Sequence, residues 1–184
     1  HRLSQNRLAE ILESRLELDE IQAKVLAALS EGSFKKALGS NRDLYLDRRR
    51  NLIRSLIALS PGSIFPLMEL AQELTNDKEQ LPEILEIFQV FFRDLLLLLH
   101  GRPENDLVNP DMQETLYRQL GKETNPTLLQ NLTATGAGRY YLQRHVHRHH
   151  ATEIMLMRMN PAATEQSHKR TVNYPCQHYV SSVC

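Results

Sequence analysis

Apolar residues recur along most of the chain at spacings of three and four, which is the period of an α-helix, and runs that alternate apolar and polar residues are absent. The pattern therefore predicts an all-α protein with no sheet of consequence. The first three helices are short. Ser4 and Asp19 stand where the N-caps of the first two belong. Gly32 ends the second helix, and Ser33 can cap the third.

The predicted helices lengthen after Gly39, and we place a domain boundary there. Residues 1–39 should form a small three-helix bundle, because their apolar stripes are too narrow to be stable without packing on one another. Residues 40–160 should form a larger helical bundle. Its predicted helices span approximately residues 42–59, 64–74, 77–99, 110–120, 125–142 and 150–159, the third being the longest. Residues 161–184 lack an apolar stripe and are predicted to be a flexible polar extension.

Composition narrows the range of functions. The chain has 22 Lys and Arg against 22 Asp and Glu, so its bulk charge gives no reason to bind nucleic acid or an anionic membrane. The two cysteines, Cys176 and Cys184, lie in the polar extension, which argues against a disulfide-stapled secreted domain and favours a reducing cytoplasm. The longest apolar run, residues 95–99, is far shorter than the roughly 20 residues of a membrane span. Because the chain opens on His1, we expect a longer protein to extend it at the N-terminus.

Three motifs follow one another in order: Gly-Ser-Phe-Lys-Lys-Ala at residues 32–37, Phe-Arg-Asp-Leu at 92–95, and a terminal helix after residue 148 that contains Glu153. In this order they resemble the C-terminal half of the delta-prime subunit of the bacterial DNA polymerase III clamp loader. The resemblance implies a three-helix lid over residues 1–39 and a helical collar over residues 40–160. His145 and His147 stand where many relatives have asparagine.

The resemblance implies a scaffold without catalytic activity. Such a subunit assembles with motor and delta subunits, and the complex opens the sliding clamp and loads it on primed DNA while the motor subunits hydrolyse ATP. This segment would need no cofactor, and it would meet the clamp and the DNA only through the full complex. In relatives that bind ATP, the basic residue of the lid turn approaches the phosphates, which makes Gly32, Ser33 and Lys36 a nucleotide-proximal turn. The sequence itself shows no phosphate loop and no hydrolase motif.

Charged residues inside apolar segments are the candidates for assembly. Arg93 and Asp94 lie in the middle of the most apolar predicted helix, where unpaired charges would be costly. We expect an ion pair there, either internal or between subunits. Glu153 occupies the glutamate position of the family's terminal helix and joins this structural set by resemblance.

Two basic clusters admit a second interpretation. His145, His147, His149 and His150 are candidate metal ligands, since imidazole binds transition metals readily, although a chance surface cluster is favoured. Residues 48–50 and Arg54 are all arginine and could bind phosphate, although a solvated helix face is the commoner outcome.

Two alternative functions stay open. The chain could belong to the motor (gamma/tau-like) subunit of the same complex, whose lid also carries a Gly-Ser turn. It could also be a separate helical module that binds a metal ion or nucleic acid through its His and Arg segment.

Overall fold

The computed structural model describes residues 3–30, 32–39, 44–76, 79–144 and 146–160. Within these residues every regular element is helical, which confirms the predicted all-α fold. The α-helices are α1 Gln5–Leu16, α2 Glu20–Leu29, α3 Phe34–Ala37, α4 Arg49–Ile57, α5 Ile64–Asn76, α6 Leu81–Leu99, α7 Gln113–Leu120, α8 Asn125–Gln143 and α9 Arg148–Met159. A π-helical turn, Leu44–Arg48, precedes α4, and two short 3-10 turns, Glu104–Asp106 and Pro110–Met112, precede α7. The polar extension with both cysteines lies outside the described residues.

The first three helices begin at the N-cap residues that the sequence predicts. Side-chain oxygens of Ser4, Asp19 and Ser33 accept hydrogen bonds from backbone N–H groups three residues further on. Gly32 has a positive φ of 75°, and a Cβ at this position would lie 2.2 Å from the carbonyl oxygen of Leu3. The backbone N–H of Leu3 donates to the Gly32 carbonyl at 3.0 Å. Only glycine fits this close approach of two chain segments.

The core lies between α6 and the helices that surround it. α6 packs against α8, α8 against α9, and α9 against α5, while α4 and α7 also contact α6. α1 and α2 pack against each other, and α2 contacts the π-helical turn. Buried side chains of these first two helices belong to the same hydrophobic cluster as those of α6. The domain boundary near Gly39 stays a prediction.

Several helix limits differ from those predicted, among them the starts of α4, α6, α7 and α9. α6 begins at Leu81 rather than residue 77, because Pro82 lacks an N–H group and suits the first turn of a helix. It shares its length of 19 residues with α8, so it is not longer than every other helix. α9 begins at Arg148, two residues before the predicted start. In the leucine run only Leu95 is buried, and Leu99 is 38% exposed, so the end of α6 is covered on one side.

Candidate subunit interface and its buried polar network

A fully buried carboxylate, that of Asp94, lies in the middle of α6. It accepts hydrogen bonds from the backbone N–H groups of Val108 at 3.1 Å and Asn109 at 2.9 Å, and from the side-chain amide of Asn109 at 2.7 Å. Arg93 Nη1 lies 3.2 Å from the same carboxylate but is half exposed. Burial raises the pKa of Asp94, and the hydrogen bonds from Asn109 and Val108 oppose this rise. Asp94 thereby fixes the segment before α7 to α6.

Arg49 is the largest polar side chain in the core, at 2% exposure. Its Nε donates to the carbonyl oxygen of Tyr45 at 2.9 Å, and its Nη2 donates to Asp111 at 2.7 Å. Its Nη1 donates to the side-chain oxygen of Asn109, whose amide nitrogen in turn donates to Asp94. One polar network therefore joins α4, α6 and the segment between α6 and α7.

The carboxylate of Asp111 pairs with two arginines. Its Oδ2 accepts from Arg49 Nη2 at 2.7 Å and from Arg50 Nε at 2.9 Å. Burial acts to raise the pKa of Asp111, but the charges and hydrogen bonds of Arg49 and Arg50 outweigh it, and the net effect is a lowered pKa. The carboxylate is therefore held in its charged form by its partners.

The predicted arginine patch is divided among different surroundings. Arg49 points into the core, Arg50 pairs with Asp111, and Arg48 donates to the side chain of Gln80 at 2.6 Å. Arg54 is exposed. The burial of Arg49 could have been predicted from the sequence. Arg49 lies on the same helical stripe as the buried residues Tyr45, Leu52, Ile53 and Leu56.

Lys36 lies on the short helix α3 and contacts the larger bundle. Lys36 Nζ lies 3.0 Å from Glu86 Oε2 on α6, and the two side chains are 25% and 11% exposed. Lys36 also lies over the ring of Tyr45, 5.8 Å from its centre. Arg139 on α8 approaches the same Glu86 oxygen at 4.0 Å and donates to Gln89 at 2.9 Å. Gly32 and Ser33 form the backbone of the turn, well separated in sequence from the Asp94 network.

Glu153 pairs with two histidines of its own helix. His149 Nε2 lies 3.2 Å from one carboxylate oxygen and His150 Nδ1 lies 3.1 Å from the other. The ring of His147 stands 5.0 Å from that of His150, measured between centroids. Among the described residues, no group of three or more His, Cys, Asp or Glu side chains is arranged to hold a metal ion. His145 lies outside the described residues.

Large apolar side chains remain exposed on the bundle. Phe65 on α5 is 78% exposed, Leu129 and Tyr140 on α8 are 48% and 49% exposed, and Ile154 on α9 is 41% exposed. Leu129 and Tyr140 lie on one face of α8, three helical turns apart. Apolar side chains in such positions suit a surface that another protein covers. None of the helices in the described part of the chain has the length and apolar character needed to cross a membrane.

A helical bundle that is fixed by a buried polar network and displays apolar side chains on its surface defines a domain suited to protein assembly. Residues 43–156, more than half of the chain, match the family model for the C-terminal domain of the DNA polymerase III delta subunit, and the chain belongs to this family. The family gives it a clamp-loader-related role in DNA replication, in association with other clamp-loader subunits. No curated protein and no solved structure matches the chain significantly.

Proposed function

We propose that this chain is a delta-prime-like scaffold segment that joins motor and delta subunits in the clamp loader and has no catalytic role. Residues 1–39 serve as the lid and residues 40–160 as the collar. The family match over residues 43–156 supports a clamp-loader subunit, and the observation that carries the delta-prime assignment within that family is the Gly-Ser turn of residues 32–37 directly before the matched region, with Lys36 paired to Glu86. The complex loads the sliding clamp on primed DNA, and the segment reaches both only through that complex.

The surroundings of Lys36 favour the delta-prime subunit over the motor subunit. In a motor subunit the basic residue at this position approaches the nucleotide phosphates. Here the ammonium group is paired with Glu86 at 3.0 Å and lies over Tyr45 in a half-buried site. Reaching a phosphate would separate this pair and leave the carboxylate of Glu86 poorly compensated. In this proposal the segment works in the cytoplasm and needs no nucleotide or metal ion of its own, while motor subunits supply ATP hydrolysis.

The exposed apolar residues of the larger bundle supply the contact with neighbouring subunits. Leu129 and Tyr140 are exposed on one face of α8, three helical turns apart, and Phe65 is the most exposed of these side chains in the described residues. Covering them with apolar side chains of a neighbour removes their surface from water. This burial stabilises the complex by about 25 cal/mol for each Å² of apolar surface. A few such side chains carry most of the binding energy in a typical interface.

Native mass spectrometry of the chain mixed with motor and delta subunits from the same genome tests this function. A discrete complex is expected, and Leu129→Ser should weaken it. Ile21→Ser on α2 is a matched control, since its side chain is 46% exposed but lies outside the larger bundle. A chain that stays monomeric, or a control that weakens the complex as much as Leu129→Ser, would contradict the proposal.

A further inference from the structure

One face of α5 carries an exposed aromatic ring among acidic and amide side chains. Its residues follow one another at spacings of three and four, and all of them are exposed. We call this surface the α5 face, and it consists of Phe65, Glu69, Gln72, Glu73 and Asn76. Phe65 is 78% exposed, more than any other large apolar side chain in the described residues. Aromatic side chains of this kind anchor protein interfaces.

The backbone that leads into α5 is fixed to the end of α9. The buried side chain of Asn160 accepts a hydrogen bond from the backbone N–H of Gly62 at 3.1 Å and donates to the carbonyl of Ser60 at 2.9 Å. The backbone N–H of Ser63 also donates to the Ser60 carbonyl, at 3.1 Å. Phe65 follows directly after this turn. A partner can therefore cover the ring without first ordering the backbone, which lowers the entropic cost of binding.

The charges on the α5 face are all negative. α5 contains Glu69 and Glu73 but no Lys or Arg. Both carboxylates are exposed, and neither forms a hydrogen bond or ion pair with another described residue. Glu69 lies about one helical turn after Phe65, and Glu73 lies one turn further on. A partner that covers Phe65 comes close to both carboxylates, so it must offer positive charge to offset their desolvation.

The exposed apolar side chains of α8 have surroundings of the opposite charge. This helix contains Arg139 and no Asp or Glu. α9 contacts both α5 and α8. The two helices therefore suit surfaces of different charge, and the α5 face needs a neighbour other than the one that covers α8.

We propose that the α5 face docks on a neighbouring clamp-loader subunit whose surface has an apolar socket for Phe65, flanked by lysine or arginine side chains. The inference rests on the proposed function and adds to it the chemistry of one neighbour. A second copy of this chain does not fit, since two α5 faces that met symmetrically would bring carboxylates together. Phe65 supplies most of the binding energy, while Glu69 and Glu73 steer the partner and fix its register.

Biolayer interferometry of the 184-residue chain with purified motor and delta subunits from the same genome tests the proposal. We expect binding to one of these subunits that weakens as salt rises. Phe65→Ser should weaken it at least about tenfold, and Glu69→Lys should slow association several-fold. Ile21→Ser on α2 and Glu13→Lys on α1 are matched controls, since each makes the same kind of change at an exposed side chain outside the larger bundle.

Four results would overturn the proposal. If the subunits bind and Leu129→Ser weakens binding but Phe65→Ser does not, the α5 face is outside the interface, and only this inference fails. If Glu13→Lys slows association as much as Glu69→Lys, overall charge is responsible. Self-association of the chain that Phe65→Ser abolishes would assign the face to a second copy. If neither subunit binds the chain, the scaffold function fails as well. Circular dichroism of each variant confirms that it is folded.

Discussion

Replacing Asp94 with alanine should destabilise the protein more than any change on its surface. The substitution removes a fully buried carboxylate that accepts three hydrogen bonds from Val108 and Asn109 and a fourth from Arg93. It leaves the backbone N–H groups of Val108 and Asn109 without their acceptor. It also frees the Asn109 side chain, which bridges to Arg49. The network between α4, α6 and the following segment would then have lost its central anion.

The magnitude follows from these bonds. A hydrogen bond to a charged group stabilises a protein by about 1.5–3 kcal/mol, and the desolvation of the carboxylate offsets part of the sum. Breaking a buried charged network from one side costs about 3–5 kcal/mol, and we expect this loss for Asp94→Ala. Asp94→Asn keeps the shape and one carbonyl acceptor, so it should cost about 1–3 kcal/mol. The larger loss is a substantial part of the 5–15 kcal/mol that typically stabilises a domain.

Urea unfolding followed by circular dichroism measures these losses, provided that the m-value is unchanged. Two controls separate the buried network from ordinary surface charge. Arg93→Ala removes only the half-exposed partner of Asp94, and Asp106→Ala removes the exposed pair with Arg102. Each should cost at most about 1 kcal/mol. If Asp94→Ala costs no more than these controls, the argument from buried hydrogen bonds is wrong.

Two further predictions concern backbone strain and acid stability. Gly32→Ala should lower the free energy of unfolding by about 1–3 kcal/mol, since its φ is 75° and a Cβ would meet a carbonyl oxygen at 2.2 Å. Gly136→Ala, which has open space within α8, should instead raise it by about 0.5–1 kcal/mol, and equal thermal shifts would refute this contrast. Asp111→Asn should cost less in acid than at neutral pH. Its two arginine partners outweigh burial and lower its pKa, so its stabilisation is present above about pH 4 and lost as the pH falls through the folded pKa. A loss that is the same at neutral pH and at about pH 3 would contradict this sign.

The parts of the fold that depend on local sequence were predictable. Ser4, Asp19 and Ser33 cap the helices expected of them, because a cap needs only a side chain and the N–H groups that follow it. The helical period also indicated the buried faces, because periodicity depends only on the order of apolar residues within one helix. The periodicity alone predicts a start of α6 that is too early, whereas the preference of Pro82 for the first helical turn indicates the observed start.

The polar network was only partly predictable. The sequence indicated that Arg93 and Asp94 should pair, but the main partners of Asp94 are Val108 and Asn109, beyond a loop that no local pattern spans. Arg49 was assigned to an exposed arginine run, although its spacing from Tyr45 placed it on the buried stripe. Contacts between distant segments depend on how helices pack, and periodicity describes only one helix at a time.

The pairing of Lys36 with Glu86 bears on how firmly the first three helices are held against the larger bundle. Lys36 comes from α3, Glu86 from α6, and Arg139 from α8, so three segments meet at one carboxylate. Rotating the first three helices would pull opposite charges apart in half-buried surroundings, which resists the movement. The Glu86 carboxylate therefore holds the first three helices in place on α6 and α8. Glu86 lies about two helical turns before Asp94, the residue that ties α6 to the segment before α7.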